Sequence, residues 1–238
     1  MKLNLTKKVS AKYIVEGFPG VGLVAPISTE YLINHMKFER IGEIVIEEVM
    51  PVAAIHNEEV IKPVSLQFNK EKGIIVIHGV TNVTGLEWKI KDVLLELLKK
   101  TNCKTIISVE GVGNPDVNNN IIEPRTFVYT NNKKILPKGI QTATPLKEGI
   151  ILGVTGALIL NNEEINHICV FVDAHMNIPD SKAASEVIKV LDKILDIDVD
   201  VKPLLKKAEL FEKKLQNILE KSRGVQKLSD DKKLTYFG

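Results

Sequence analysis

Four polar side chains stand at the ends of apolar runs that have the composition of buried strands. They are His78, Glu110, Asp173 and His175. In an open sheet of parallel strands, ligands bind at the carboxyl ends of the strands, where these side chains would lie. Carboxylates and imidazoles serve as general acids and bases, so one hypothesis is a site for a phosphate-bearing or nucleoside-like substrate. The alternative is that the strands simply end in solvent, since the sequence shows no catalytic triad, metal triad or named catalytic motif.

A glycine-rich corner follows the first apolar run and precedes a helical pattern. Gly17, Pro19, Gly20 and Gly22 make the bend, because glycine adopts positive φ freely and proline lacks an N–H group. Backbone N–H groups at such a corner can hold a phosphate or a carboxylate. The spacing matches neither the dinucleotide fingerprint nor the P-loop, so we favour a structural role in close helix packing. On this interpretation, Gly20→Ala lowers stability if φ is positive at that residue.

The strands that would position these residues are predicted by apolar and β-branched runs. Residues 73–79, 104–111 and 168–172 are continuous apolar runs, which is typical of strands buried on both faces. Further strands are predicted at residues 13–15, 41–49 and 125–130.

A hairpin at the edge of the sheet is predicted from two apolar runs around a polar segment. The runs are residues 52–55 and 60–66. Pro63 lies inside the second run, and proline is tolerated better in an edge strand than in a central one.

Helical spacing of apolar residues appears between the strands. The first predicted helix follows the glycine corner, the second spans residues 86–101, and another follows Pro179 and Asp180. Residues 149–160 repeat the pattern of small residues followed by an apolar helix. Alternation of strands and helices places crossover helices on both faces of a sheet. Residues 1–200 are therefore predicted to form a three-layer α/β/α domain with a mixed, largely parallel sheet.

Composition indicates an ordinary globular protein. The 238 residues are 44% hydrophobic with a formal net charge of +2, which gives no general case for nucleic-acid or membrane binding. Cys103 and Cys169 lie in or beside apolar runs without metal-ligand spacing, which predicts two reduced core thiols. No apolar stretch approaches the length of a membrane span, so we expect a cytoplasmic protein.

The last part of the chain is predicted to form a helix and then a flexible tail. Within residues 201–221 apolar residues follow a 4-3-4-3 spacing, at Leu204, Ala208, Phe211, Leu215 and Ile218. This stripe is typical of a coiled coil, or of a helix folded back on its own sheet, and the sequence leaves both open. Residues 222–238 are polar and aperiodic, which predicts a flexible tail.

Three motifs in order resemble the proteasome assembly chaperone two family, in particular its archaeal members. They are residues 16–24, residues 153–158 and residues 178–184, and the resemblance covers about residues 10–220. A mild departure is Ser181, where family members often have proline. The resemblance implies a phosphorylase-like α/β/α fold, self-association, and ATP-independent assistance in assembling the α-ring of the core proteasome, without a cofactor.

The end of the tail resembles the hydrophobic-Tyr-any motif with which proteasome activators and assembly factors bind between α-subunits. Leu234 precedes Tyr236, Phe237 and Gly238, so phenylalanine stands at the penultimate position and one hydroxyl is missing. In such a contact an aromatic ring fills a pocket while the terminal carboxylate meets a cation. These four residues are the predicted partner-binding site, with chance hydrophobicity of a short tail as the alternative.

Two further expectations concern surfaces. The stripe at residues 204–219 and the apolar run at residues 60–66 would be hard for a single domain to cover, which predicts a homo-oligomer, a dimer or tetramer. His35, His56 and His167 flank loops or helix ends, and we expect them to be solvated rather than catalytic.

Overall fold

A mixed nine-stranded sheet forms the centre of the protein. The computed structural model describes residues 1–49, 51, 54–56, 58–118, 123–137, 143–161 and 165–206. The described strands, of which β4 and β5 lie outside this sheet, are β1 (Lys2–Leu5), β2 (Tyr13–Gly17), β3 (Glu39–Val45), β4 (Ala54–His56), β5 (Glu59–Ile61), β6 (Val64–Asn69), β7 (Ile74–Gly79), β8 (Thr105–Gly113), β9 (Thr126–Thr130), β10 (Thr144–Pro145) and β11 (Asn166–Ala174).

The centre of the sheet is parallel and its flanks are largely antiparallel. The order is β1-β3-β6-β7-β2-β8-β11-β9-β10. Strands β7, β2, β8 and β11 run parallel to one another, whereas β1, β3 and β6 on one side pair antiparallel, as does β9 with β11. The β-branched runs that predict buried strands occupy this parallel centre, because helices cover both of its faces. The mixed sheet is confirmed.

Helices form the two outer layers. They are α1 (Val24–His35), α2 (Glu87–Lys100), α3 (Pro115–Asn118), α4 (Gly153–Ile159) and α5 (Ser181–Leu195). Helices α1 and α5 pack together on one face, where Tyr31 and Leu191 are fully buried, and α2 and α4 pack on the other around Leu94 and Leu158. The three-layer α/β/α prediction is confirmed.

Alternation along the strands decides which layer each side chain faces. On β2, Val15 belongs to the core under α1 and α5, whereas Ile14 belongs to the core under α2 and α4. Successive side chains of a strand point to opposite faces, so Glu16 lies on the α2 and α4 side with Ile14.

The predicted edge hairpin is partly wrong. Strand β6 lies inside the sheet, paired with β3 on one side and β7 on the other, and its Val64 and Leu66 are fully buried. Pro63 precedes the first paired residue, so its missing N–H is not needed in either ladder. A separate two-stranded hairpin, β4 with β5, precedes it and exposes Ile55 and Val60.

The predicted C-terminal helix begins on the core. Residues 202–206 form a helical turn in which Leu204 is buried against the α1 and α5 layer and Leu205 is exposed. The Tyr31 hydroxyl donates a hydrogen bond of 2.6 Å to the carbonyl of Asp200 and holds the approach to this turn. Residues 207–221 and the tail, 222–238, lie outside the described residues.

Helices within the described ranges are all too short or too polar to cross a lipid bilayer.

Candidate functional site

Two glutamates stand side by side at the carboxyl ends of neighbouring parallel strands. Glu16 is on β2 and lies in register with Ser108 on β8, and Glu110 comes two residues later on the same face of β8. Each glutamate is followed by a glycine; β2 ends at Gly17, whereas β8 continues through Gly111 to Gly113 along β11. Glu16 is only 2% exposed, so its carboxyl group has almost no contact with water.

Thr155 on α4 joins the two carboxyl groups. Its hydroxyl oxygen lies 2.7 Å from Oε1 of Glu110 and 3.5 Å from Oε1 of Glu16. Burial raises the pKa of Glu16 to about 8, and the nearby charge of Glu110 adds to this rise. Burial likewise raises the pKa of Glu110 to about 7, against the opposing effect of the Thr155 hydrogen bond. The pair therefore holds protons near neutral pH.

The polar network continues beneath the sheet to His167. The Ser108 hydroxyl lies 2.8 Å from Nε2 of His167, and the Cys169 thiol lies 3.4 Å from the same nitrogen. His167 is 2% exposed, so the prediction of a solvated His167 is wrong; it is the second residue of β11 and its side chain points into the protein. Burial lowers the pKa of His167 to about 4, which keeps the ring neutral. Cys103 and Cys169 are both buried free thiols, as predicted.

A cleft of about 640 Å³ opens above Glu110. The glycine corner, the end of β8 and the segment before α4 form its walls. Its apolar lining includes Phe18, Val21, Phe127, Ile151 and Leu152.

Two glycines leave Glu110 open to this cleft. A Cβ atom at Gly20 would lie 3.5 Å from Oε2 of Glu110, and a Cβ at Gly153 would lie 3.9 Å from Oε1. Any larger side chain at either position would extend over the carboxyl group.

The four strand-end residues of the enzyme hypothesis do not converge. Glu110 and Asp173 line the cleft, and Asp173 accepts a 2.7 Å ion-paired hydrogen bond from Nε of Arg125. His78 is buried on the opposite face of the sheet, where Nδ1 lies 2.9 Å from Oγ1 of Thr29 and Nε2 lies 3.0 Å from Oε2 of Glu30.

His175 has a structural partner of its own. Its Nδ1 lies 2.6 Å from Oδ2 of Asp180, whose Oδ1 accepts a hydrogen bond from the N–H of Ala183 and caps α5. Within the described residues no group of three acidic, histidine or cysteine side chains could hold a metal ion.

Comparison with known proteins identifies the family. A model of the PAC2 family matches residues 14–219. The chain belongs to the PAC2 family. This confirms the resemblance described above, and the match spans both glycine-rich turns and the start of α5.

Relatives of this PAC2 chain have known sequences and structures. The uncharacterized protein MJ0106 of Methanocaldococcus jannaschii is 22% identical over 214 residues, which cover 87% of this chain and 85% of that protein. The crystal structure of Pyrococcus furiosus PbaA, an archaeal homolog of proteasome-assembly chaperone, is 26% identical with a TM-score of 0.77, covering 94% of this chain and 99% of that one. Pyrococcus furiosus PbaB, an archaeal proteasome activator, is 23% identical with a TM-score of 0.73, covering 91% and 98%.

The glycine corner of the PAC2 chain packs closely at two positions. A Cβ at Gly17 would come within 2.8 Å of the Thr29 methyl group and 3.0 Å of the Ala25 carbonyl, both on α1. Gly22 has φ +62°, and its Cβ would lie 3.0 Å from that of Ala174. Pro19 and Gly20 instead line the cleft, and Gly20 has φ −146°, an extended conformation that does not need glycine.

Gly22→Ala should lower the free energy of unfolding by about 1–2 kcal/mol from its left-handed backbone alone, and further through crowding. Gly85→Ala is the matched control, because Gly85 has φ +84° with no atom within 4 Å of its Cβ position. Urea denaturation of both variants and of Gly20→Ala measures the difference. Equal losses for Gly22→Ala and Gly85→Ala would contradict a packing role for Gly22, and we expect a small effect at Gly20.

Sequence reasoning assigned no role to Glu16, Thr155 or Ser108. One signal was present: Glu16 and Glu110 both end an apolar run and are both followed by glycine. Glutamates at the carboxyl ends of two adjacent parallel strands lie at the same edge of the sheet, and therefore close together.

The predicted partner-binding residues, Leu234, Tyr236, Phe237 and Gly238, lie outside the described residues of the PAC2 chain, as does the side chain of His56. His35 is exposed at the end of α1, where its ring stacks on Tyr31 at a centroid distance of 3.7 Å.

Proposed function

We propose that this protein is an ATP-independent proteasome-assembly chaperone that binds the α-ring of the core proteasome in the cytoplasm. The observation that carries the proposal is the similarity to Pyrococcus furiosus PbaA, an archaeal homolog of proteasome-assembly chaperone, at 26% identity over 94% of this chain. Membership of the PAC2 family and similarity to the proteasome activator PbaB support it.

The enzyme alternative is not favoured. PbaA is an archaeal homolog of proteasome-assembly chaperone and PbaB is an archaeal proteasome activator, and this similarity supports the prediction that the protein is not an enzyme. In addition, His78 pairs with Glu30 and His175 pairs with Asp180, both away from the cleft. The four strand-end residues therefore do not form a common acid–base site.

The proposed contact with α-subunits is the C-terminal tail. The last described residues, 202–206, lie on the α1 and α5 face, where Leu204 is buried. Tyr236 and Phe237 would fill a pocket between α-subunits, and the carboxylate of Gly238 would meet a cation. Such a contact needs a free chain end, and it leaves the surface of the folded domain free for contacts with a second copy.

Self-association is part of the proposal. Val64, Leu66 and Leu204 are covered by the protein's own fold, so they offer no interface. The β4–β5 hairpin still exposes Ile55 and Val60, which makes this hairpin the better candidate surface for a second copy.

Affinity capture from an extract of the source organism tests the proposed function. We expect the full chain to retain proteasome α-subunits and a chain ending at residue 221 to lose them, because the aromatic anchor is gone. Trp88→Ala is the matched control, since it removes an aromatic side chain that is 58% exposed on the body and should leave capture unchanged. Failure of the full chain to retain α-subunits would contradict the proposal.

A further inference from the structure

The cleft above Glu110 has the size and shape of a small-molecule site. Its volume of about 640 Å³ lies in the range of roughly 300–1,000 Å³ that is usual for ligand pockets. Apolar side chains form most of the wall, including Phe18, Val21 and Leu152, and Leu152 is 77% exposed. Leaving so much apolar surface open to water is unfavourable unless something covers it.

The charge of the cleft has one sign. Its lining contains Glu87, Glu110, Glu148 and Asp173, and the described residues that line it include no lysine or arginine. Arg125 pairs with Asp173. Glu110, by contrast, has a neutral hydroxyl as its hydrogen-bond partner, and Glu16 lies behind it across Thr155. The base of the cleft therefore suits a cation.

We propose that this cleft binds a small amphiphilic amine. The ammonium group lies on the Glu110 carboxylate and donates hydrogen bonds to it, in the place of the proton that the buried pair otherwise holds. The apolar body of the amine lies against Val21 and Leu152 and removes their surface from water.

The glycines beside Glu110 fit this ligand. Gly20 and Gly153 leave both carboxyl oxygens open to the cleft. An anionic ligand, such as a phosphate ester or a chain-terminal carboxylate, would instead meet the like charge of Glu110, while Arg125 beside the cleft is already paired with Asp173.

Titration with n-hexylamine at neutral pH, followed by NMR chemical shifts of the full chain, tests the proposal against n-hexanol as the uncharged probe of the same length. We expect hexylamine to bind and hexanol to bind at least about tenfold more weakly, because hexanol carries no positive charge to pair with the carboxylate. Glu110→Gln should weaken hexylamine binding by about tenfold or more while keeping the hydrogen bond with Thr155.

Two further variants sharpen the test. Gly20→Ala places a methyl group 3.5 Å from Oε2 of Glu110 without a clash, so it should weaken hexylamine binding and leave the fold intact. Glu96→Gln, on the outer face of α2 and outside the cleft lining, should bind as the wild type does. Equal affinities for hexylamine and hexanol, no effect of Glu110→Gln, or no binding of hexylamine would overturn the proposal. A more than about tenfold rise in affinity on removal of residues 222–238 would also overturn it, because the chain's own tail would then be the occupant.

Discussion

Between about pH 6.5 and about pH 8 the free energy of unfolding should fall by on the order of 2 kcal/mol, and Glu16→Gln should remove most of this fall. Burial raises the pKa of Glu16 from 4.5 to about 8 and that of Glu110 to about 7. A carboxyl group with a raised folded-state pKa binds its proton more tightly in the folded protein. Its contribution to stability is therefore present at low pH and is lost as pH rises from about 4.5 to about 8.

The buried histidine acts in the opposite direction over a lower range of pH. Because burial lowers the pKa of His167 from 6.5 to about 4, its neutral form stabilises the fold above pH 6.5, and that contribution is lost as pH falls towards 4. The two effects oppose each other below about pH 6.5. Above pH 6.5, Glu16 and Glu110 dominate the change of the free energy of unfolding with pH, so the measurement is made between about pH 6.5 and about pH 8.

Urea denaturation at several pH values measures this slope. Glu96→Gln is the control, because Glu96 lies on the surface of α2 in an ion pair with Lys100 and should leave the slope unchanged. Equal slopes for the wild type and Glu16→Gln would show that Glu16 is not a buried proton-holding group.

The parallel centre of the sheet was predictable because the local composition of its strands and the apolar spacing of its helices indicate these elements directly. Strands β7, β8 and β11 are β-branched runs buried on both faces, and α2 and α5 have one apolar face each. The position of β6 was not predictable from Pro63, because whether a proline interrupts a ladder depends on register, and here it lies one residue before the ladder begins. Register is decided by tertiary pairing rather than by local composition.

The site was only partly predictable for a similar reason. Glu110 and the glycine corner stood out in the sequence, but Thr155 reaches Glu16 across 139 positions of the chain, and only the packing of α4 on the sheet brings them together. His78 and His167 were misplaced because both lie in strands, where the layer that covers a side chain's face of the sheet determines whether it is buried. Both side chains point into buried layers. Polar residues in strands are buried when a partner is available, and the partner is not visible in local sequence.

Removal of Tyr236, Phe237 and Gly238 should weaken association with α-rings by on the order of 100-fold. Residues 222–235, if unstructured, span roughly 20 Å root-mean-square, which lets the aromatic end search a partner surface without movement of the folded body. Several tails on one oligomer raise the effective concentration of each end at neighbouring pockets, so the loss of all ends affects binding far more than one weak contact would.

A variant with residues added at the C-terminus distinguishes the contribution of the aromatic rings to binding from that of the terminal carboxylate. Adding two serines after Gly238 preserves Tyr236 and Phe237 but moves the carboxylate away from them. We expect this variant to lose most of the binding, because capture of a terminal carboxylate works only at a true chain end. Light scattering and denaturation should show unchanged mass and stability in both tail variants.

The most direct test of the proposed function is a set of binding isotherms to purified α-rings for the intact, truncated and extended proteins. We expect firm binding by the intact protein and a large loss of affinity in both variants. Equal affinity for all three, or no affinity for any, would contradict binding of α-rings through the C-terminal tail.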